Sequence, residues 1–259
     1  MIRQYASIAF VIVFLLTTSE SLQAVNKGTS GDALVDSLIR EVDRLYRSST
    51  AYSELEMEIV TPHWQRTLSM KAWSEGMDKT LIRILSPRKE KGVTTLRIDN
   101  EMWNYLPRTN KTMKVPPSMM MGSWMGSDFT NDDLVKESSL FEDYTYEMIE
   151  PDSADAGLYY INAIPRPDLA VVWGNVVLAV EKERQLPVWQ KFYDEKGGLM
   201  RMMTYSGVKE LGGRLLPTVQ EMIPKNKEGH KTVIRYTRAE FDVPLNKDTF
   251  SLRSLRSNR

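Results

Sequence analysis

The chain has 259 residues, with 34 basic residues balanced by 34 acidic residues and no cysteine. The balance of charge excludes the basic excess that is typical of nucleic-acid-binding proteins. The lack of cysteine excludes disulfides, a thiol nucleophile, a thiolate metal site and a lipid-modified N-terminal cysteine. Stability must therefore come from a packed core, and the chain is long enough to bury one.

The N-terminal residues predict export. Arg3 precedes the apolar run Ile8–Leu16, which a polar stretch and a cleavage point after Ala24 follow, as in a secretory signal peptide. The run is shorter than the roughly 20 apolar residues that span a membrane, so a retained membrane anchor is the weaker alternative. We predict a signal peptide over residues 1–24, one domain over residues 25–259, and a periplasmic location without a lipid anchor.

The first element after this segment is predicted to be an amphipathic helix over Asp32–Arg47. Its apolar residues at helical spacing are Leu34, Leu38, Val42 and Leu45. Thr29 and Asp32 have the spacing of a capping box. A helix with one apolar stripe packs on a sheet, and a lid over a cavity has the same pattern.

From Tyr52 onward the apolar period changes to two, which predicts strands with one buried and one wet face. The further strand candidates are Thr80–Leu85, Val93–Asp99, Met102–Pro107, Thr112–Val115, Tyr144–Ile149, Leu158–Ile164, Val171–Glu181, Val188–Tyr193, Leu199–Tyr205, Leu215–Ile223 and Thr232–Phe241. A short helix is predicted at Asp132–Glu137, capped by Thr130. A sheet of so many consecutive strands cannot remain flat and open, because the twist of its strands makes it curl. We therefore predict a mostly β fold with some α: a curved antiparallel half-barrel, or unclosed β-barrel, of about eleven or twelve strands with a helical lid.

The concave face of such a sheet must be filled by side chains, helices or a ligand. Apolar strand positions that we expect to line a ligand cavity are Leu55, Met57, Ile59, Leu68, Met70, Trp103, Tyr105, Met113 and Val115. Few helices are predicted to cover this surface. A cavity that accepts a ligand is therefore favoured over a solid core.

The loop Pro116–Phe129 is unusually apolar. Its large apolar residues are Met119, Met120, Met121, Trp124, Met125 and Phe129. Apolar surface of this kind marks a ligand groove, a partner or a membrane, and methionine suits surfaces that accept varied apolar ligands. Gly122 and Gly126 favour mobility. We predict a gate or membrane-contact loop that contributes little to stability, and the alternative is a plug of the core.

The sequence offers no pattern of an enzyme active site. The two histidines, His63 and His230, lie beside turn residues, and neither an HExxH motif nor a GxSxG motif is present. Asp128, Asp132 and Asp133 are expected to cap the short helix and not to bind a cation. We therefore predict neither catalysis nor a cofactor nor a metal.

Several short motifs carry a family resemblance: MWNYLP at residues 102–107, GSDFTNDDL at Gly126–Leu134, LPVWQKFYDEKG from Leu186, GGRLLPTVQEM, and FDVPLNKDTFS. On these motifs the chain resembles the LolA/LolB-like superfamily of periplasmic lipoprotein carriers, specifically the outer-membrane lipoprotein-sorting relatives. The resemblance implies an unclosed barrel with helices over an apolar cavity that shields acyl chains, a chaperone-like role in outer-membrane biogenesis, and an inner-membrane exporter as partner.

The carrier role is physically plausible without any catalytic group. Each acyl CH₂ removed from water contributes about 0.8 kcal/mol, so an apolar cavity alone can hold a lipid chain. The alternative function is a sensing adaptor, which binds a lipid or lipoprotein and docks on an inner-membrane transporter or regulator. A carrier exchanges its ligand between membranes through transient contact, whereas an adaptor shows a stable protein interface and little transfer.

Overall fold

The computed structural model describes residues 33–135, 143–167 and 173–256. In these ranges the helices are α1 (Ala33–Arg44) and α2 (Asn131–Val135), and the strands are β1 (Thr50–Val60), β2 (Gln65–Glu75), β3 (Lys79–Ser86), β4 (Thr94–Ile98), β5 (Glu101–Leu106), β6 (Lys111–Lys114), β7 (Tyr144–Ile149), β8 (Leu158–Pro165), β9 (Asn175–Glu181), β10 (Pro187–Tyr193), β11 (Leu199–Leu211), β12 (Arg214–Pro224) and β13 (Lys231–Phe241). The predicted signal peptide and the Thr29–Asp32 capping box lie outside the described residues. Of the described helices, none is long and apolar enough to cross a membrane.

All thirteen strands belong to one sheet, in the order β6-β5-β4-β3-β2-β1-β13-β12-β11-β10-β9-β8-β7. Each strand pairs with its neighbour in sequence, except at the centre, where β1 pairs antiparallel with β13. The edges of the sheet are β6 and β7, so the barrel stays unclosed. The predicted half-barrel is confirmed, with slightly more strands than expected. The largest difference in length is in β11, which continues beyond the predicted Tyr205 to Leu211.

Helix α1 packs on one half of the sheet. It ends at Arg44, three residues before the predicted end. The predicted apolar stripe is displaced, because Leu34 is 39% exposed. The buried residues of the helix are Val35, Leu38 and Ile39. They pack against a cluster from β7, β8 and β9 that includes Ile161 and Leu178. Burial of this stripe fixes the helix on the concave side of the sheet.

The segment between β6 and β7, residues 115–143, joins the two edges of the sheet, and we call it the crossing segment. It contains the apolar loop and α2. At the start of α2, the Asp133 N–H donates to Thr130 Oγ1 at 3.0 Å, and the Thr130 N–H donates to Asp133 Oδ2 at 2.7 Å. This reciprocal arrangement satisfies two backbone donors. The predicted Thr130 cap is therefore confirmed, and the remainder of the predicted helix, beyond Val135, lies outside the described residues.

The opposite face of β2–β5 carries a separate apolar cluster. Cross-strand neighbours in this row are Trp73, Leu81, Leu96 and Trp103. Phe250 and Leu255, from the C-terminal segment after β13, pack on this row. The first strands of the sheet are thus covered on both faces, by the crossing segment on one side and by the C-terminal segment on the other.

Candidate functional site

A cavity of about 320 Å³ lies on the concave side of the sheet. Its walls come from α1, from strands β1–β3 in one half of the sheet, from β9–β13 in the other half, and from the crossing segment with α2. This volume is at the lower end of the range of about 300–1,000 Å³ that is typical of small-molecule pockets. The cavity is thus enclosed by residues from nearly the whole length of the described chain.

Part of the predicted lining is in place. Leu55, Met57 and Met70 line the cavity. Ile59 and Leu68 are buried in the adjoining cluster, beside the cavity rather than in its wall. The registers explain this grouping, since Leu55 faces Met70 and Met57 faces Leu68 across the β1–β2 ladder. The inward parity of β1 and β2 is therefore the predicted one.

The predictions for the hairpin β5–β6 are wrong. Trp103 and Tyr105 pack with Leu255 in the cluster on the opposite face. Met113 is exposed and Val115 is partly buried, and neither residue lines the cavity. The physical reason is the pleat: Trp103 is the cross-strand neighbour of Leu96, and successive side chains alternate between the faces of a sheet. The C-terminal segment, rather than a ligand, covers these aromatic side chains.

The predicted gate loop has a buried part and an exposed part in the structure. Trp124 is only 4% exposed, and its indole N–H donates to Thr95 Oγ1 at 3.1 Å. Trp124 and Phe129 line the cavity, whereas Met119 and Met121 are 59% and 49% exposed. The loop is also held by backbone hydrogen bonds, including one from the Asp132 N–H to the Met120 carbonyl at 2.7 Å. The core-plug alternative thus describes Trp124, and only the methionine end of the loop is exposed.

The base of the loop is fixed by Arg66 on β2. Its guanidinium donates to the carbonyl of Met125 and pairs with Glu90 at 3.0 Å. Met125 itself packs on the cluster of β1–β3. A Cβ on Gly126, which has φ of +77°, would lie 3.2 Å from Arg66 Nη2. Glycine at this position therefore permits both a left-handed turn and the close approach of the arginine.

A bidentate ion pair lies in the cavity wall. Arg201 on β11 donates to Asp133 on α2 through two hydrogen bonds, of 2.6 and 2.8 Å. The guanidinium carbon lies 4.4 Å from the ring centroids of both Trp173 and Phe192. The bidentate pair and the contact with both rings hold the planar guanidinium in one orientation. It attaches α2 to the far half of the sheet.

The surroundings of Asp133 lower the pKa of its carboxyl group. Burial by itself would raise the pKa of Asp133, but the hydrogen bonds and charge of Arg201, with further hydrogen bonds from Thr130, hold the pKa of this carboxyl below its ordinary value. Asp133 is therefore ionised at neutral pH. Its role as a cap agrees with the expectation from the sequence, and its pairing with Arg201 adds a tertiary contact.

Polar groups from the segment after α1 and from β12 also reach the cavity. The Tyr46 hydroxyl donates to the carbonyl of Pro217 at 2.7 Å, and its ring stacks on Tyr236 at 4.9 Å. Burial raises the pKa of Tyr46, an effect that a hydrogen bond with Gln220 partly offsets. Tyr46 therefore stays neutral. The cavity wall here consists of two stacked aromatic rings, and the Tyr46 hydroxyl has a hydrogen-bond partner.

The described residues contain no group of three or more His, Cys, Asp or Glu side chains that could hold a metal ion. Of the three aspartates near α2, Asp128 accepts a hydrogen bond from Thr232 Oγ1 at 2.9 Å, and its own N–H donates to the same oxygen. The cavity wall is thus mainly apolar, with a minority of polar side chains.

Residues 76–257, more than half of the chain, match a family model described as "-like: Uncharacterized protein". The chain belongs to this family. No protein with a curated description matches the chain.

Three solved structures share the fold. A DUF1329 family protein from Desulfovibrio piger superposes with a TM-score of 0.76 at 24% identity, over 85% of this chain and 97% of that one. An outer membrane lipoprotein-sorting protein domain from Vibrio parahaemolyticus gives 0.72 at 20% identity, over 86% and 98%. A LolA superfamily protein from Nitrosomonas europaea gives 0.70 at 18% identity, over 84% and 97%. The resemblance to LolA-like proteins is confirmed as a likeness of fold.

The sequence analysis did not predict the half of the cavity that strands β9–β13 build. The missed lining residues include Phe192, Arg201, Met203, Gln220, Met222 and Ile234. A signal was present, because Met203 and Tyr205 alternate with polar residues in β11. The pairing of β1 with β13, which brings these strands opposite β1–β3, was not evident from local sequence.

Proposed function

We propose that the protein is a periplasmic carrier that shields lipid or lipoprotein acyl chains in its concave cavity during transport across the envelope, toward the outer membrane. The observation that carries the proposal is the cavity itself, which is walled mainly by apolar side chains between α1, α2 and the sheet. The fold shared with a lipoprotein-sorting domain and a LolA superfamily protein supports the same function.

The energetics suit reversible binding. An acyl chain gains about 0.8 kcal/mol for each CH₂ that leaves water, without any covalent step. The wall includes Met57, Met70 and Met203, whose unbranched side chains adapt to ligands of varied shape. A carrier needs this adaptability because it must release its cargo as well as hold it. No catalytic group enters the proposal.

The exposed methionines of the loop are proposed to contact a second surface. Met119 and Met121 project from the crossing segment, which also supplies Trp124 to the cavity wall. We assign them to transient contact with a membrane or with an inner-membrane exporter, the partner class that the proposed function requires. Their exposure makes them available to a second surface, whereas Trp124 is committed to the core.

Binding is best tested by filling the cavity from a small wall residue. Leu68 and Met70 are fully buried, so a carboxylate at either position would unfold β2. Ala72 lies in the cavity wall, between Ser53 and Ile82 on the neighbouring strands. We expect Ala72→Phe to weaken binding of a fluorescent fatty acid at least tenfold with the fold retained by circular dichroism.

The matched control is Thr67→Phe, which adds the same ring to the same strand at an exposed position on the opposite face. It should bind as the original protein does. Equal affinity of the folded Ala72→Phe protein and the control would contradict the cavity assignment. Transfer of a fluorescent lipid from donor to acceptor vesicles then separates the functions: acceleration supports a carrier, whereas binding without acceleration favours a sensing adaptor.

A further inference from the structure

A second and larger depression, of about 700 Å³, opens at the end of the sheet where β1 begins. Its walls are the C-terminal end of α1, the turns β2–β3 and β9–β10, and the start of β12. We call it the arginine cleft, because its lining includes Arg44, Arg47, Arg184 and Arg214. The lining contains one carboxylate, that of Glu41. The cleft wall therefore carries an excess of positive charge.

Two of these arginines are held in place, Arg214 by neutral partners and Arg184 by a carboxylate. Arg214 Nη1 donates to the backbone carbonyls of Arg44 and Arg47, at 3.1 and 2.6 Å, and its guanidinium lies 3.7 Å from the ring of Phe241. Arg184 pairs with Glu181 at 2.8 Å while its side chain stays 45% exposed. Carbonyls and an aromatic ring orient Arg214 without cancelling its charge.

Carboxylates beside the cleft limit this charge without removing it. Asp242 has a lowered pKa, first through hydrogen bonds from Ser48 and Ser49 and then through the charge of Arg214. It is therefore ionised, and it is already bonded to the two serines at 2.6 Å. Glu181 and Glu183 act on Arg184 from outside the cleft, whereas in the lining itself the four arginines are accompanied by Glu41 alone.

The arginine cleft adjoins the apolar cavity. Arg47 and Met77 line both spaces, and Arg47 Nη1 lies 3.4 Å from Met77 Sδ. The boundary between the two is thus formed by two long, unbranched side chains, one from the segment after α1 and one from the β2–β3 turn. Such side chains change rotamer readily, so an elongated molecule can extend from the cavity into the cleft.

We propose that the arginine cleft binds the phosphate headgroup of an anionic amphiphile whose acyl chain lies in the cavity. The inference rests on the proposed function and adds the class of ligand. Guanidinium groups match phosphate oxygens through paired hydrogen bonds. An amphiphile needs an apolar space for its chain and a polar space for its head, and here the two spaces share a wall.

The test compares two probes that share a chain, dodecyl phosphate and dodecyl maltoside, below their critical micelle concentrations. The full protein should bind dodecyl phosphate at least fivefold more tightly than dodecyl maltoside, and the preference should shrink as salt is raised, because exposed charges are screened. The double variant Arg44→Glu, Arg184→Glu should lose the preference and keep its affinity for dodecyl maltoside. Both side chains are exposed, so the fold is retained.

The control is Lys182→Glu, which makes the same change of charge as Arg184→Glu alone, in the same turn, β9–β10, but outside the cleft lining. Lys182 instead donates to the carbonyl of Ala156. The control should keep the phosphate preference. Equal affinity of the protein for both probes, or a loss in the control as large as in the double variant, would overturn the headgroup site alone. Failure of both probes to bind would overturn the carrier proposal as well.

Discussion

The two faces of the strands β1–β5 make different use of similar apolar side chains. The concave face carries the aliphatic residues Leu55 and Met70, and it borders an open cavity. The convex face carries the aromatic residues Trp73 and Trp103, and the C-terminal segment seals it. Large aromatic residues are therefore a poor guide to the binding face in this sheet. The two faces differ in that the C-terminal segment covers the convex face alone.

A second contrast lies within the concave side. Trp124 plugs one part of it, while the neighbouring space stays open. The plug and the cavity wall belong to the same cluster of β1–β3. The structure thus combines a packed region, which gives stability, with an unfilled region that is available to a ligand. The following experiments test whether the packed region determines stability and the unfilled region determines binding.

The largest effect is expected from Trp124→Ala. Removal of a buried indole costs about 3–5 kcal/mol of unfolding free energy. Urea unfolding followed by circular dichroism would measure it. The control is Met121→Ala in the same loop, which should change stability by less than about 0.5 kcal/mol because the side chain is exposed. Equal stability of the two variants would restore the prediction of a mobile loop.

The convex face is tested by Leu255→Ala. Leu255 is 1% exposed and holds the C-terminal segment on Leu81 and Leu96, so we expect a loss of about 2–4 kcal/mol. Affinity for a fluorescent fatty acid should stay the same in the folded variant, because Leu255, Leu81 and Leu96 do not line the cavity. Leu252→Ala, in the same segment and 51% exposed, is the control. A loss of binding in Leu255→Ala without a loss of stability would reverse the assignment of the two faces.

A smaller, pH-dependent effect is expected from Asp133→Asn. Since the pKa of Asp133 is lowered in the folded state, the ion pair with Arg201 stabilises the protein above the unfolded pKa of about 3.9. The contribution is lost as pH falls through the folded value. We expect the variant to lose about 1–3 kcal/mol at pH 7 and less at pH 3.

Urea unfolding at both pH values would measure the effect of Asp133→Asn. The exposed Glu150→Gln, at the end of β7, is the control and should show a negligible difference at either pH. An equal loss at pH 7 and pH 3 in Asp133→Asn would show that the ionised carboxylate is not what attaches α2.

Local sequence patterns predicted most of the fold, because alternation in a half-buried strand is imposed by the pleat within a few residues. They also predicted the inward parity of Leu55, Met57 and Met70. They did not predict which residues cover each face, and so Trp103 and Tyr105 were assigned to the wrong side. That outcome depends on contacts such as Trp103 with Leu255, which are remote in sequence. The Asp133–Arg201 pair was missed for the same reason.

The central pairing of β1 with β13 also bears on how the chain folds. Eleven of the twelve strand pairings join consecutive strands and can form by closing short turns. The β1–β13 ladder instead joins Ala51 to Phe241, so most of the chain must be looped before its first contact forms. This step is expected to limit the folding rate. A circular permutant that begins at β7 and ends at β6 would shorten this loop to the C-terminal segment, the new linker and the part of the chain before β1.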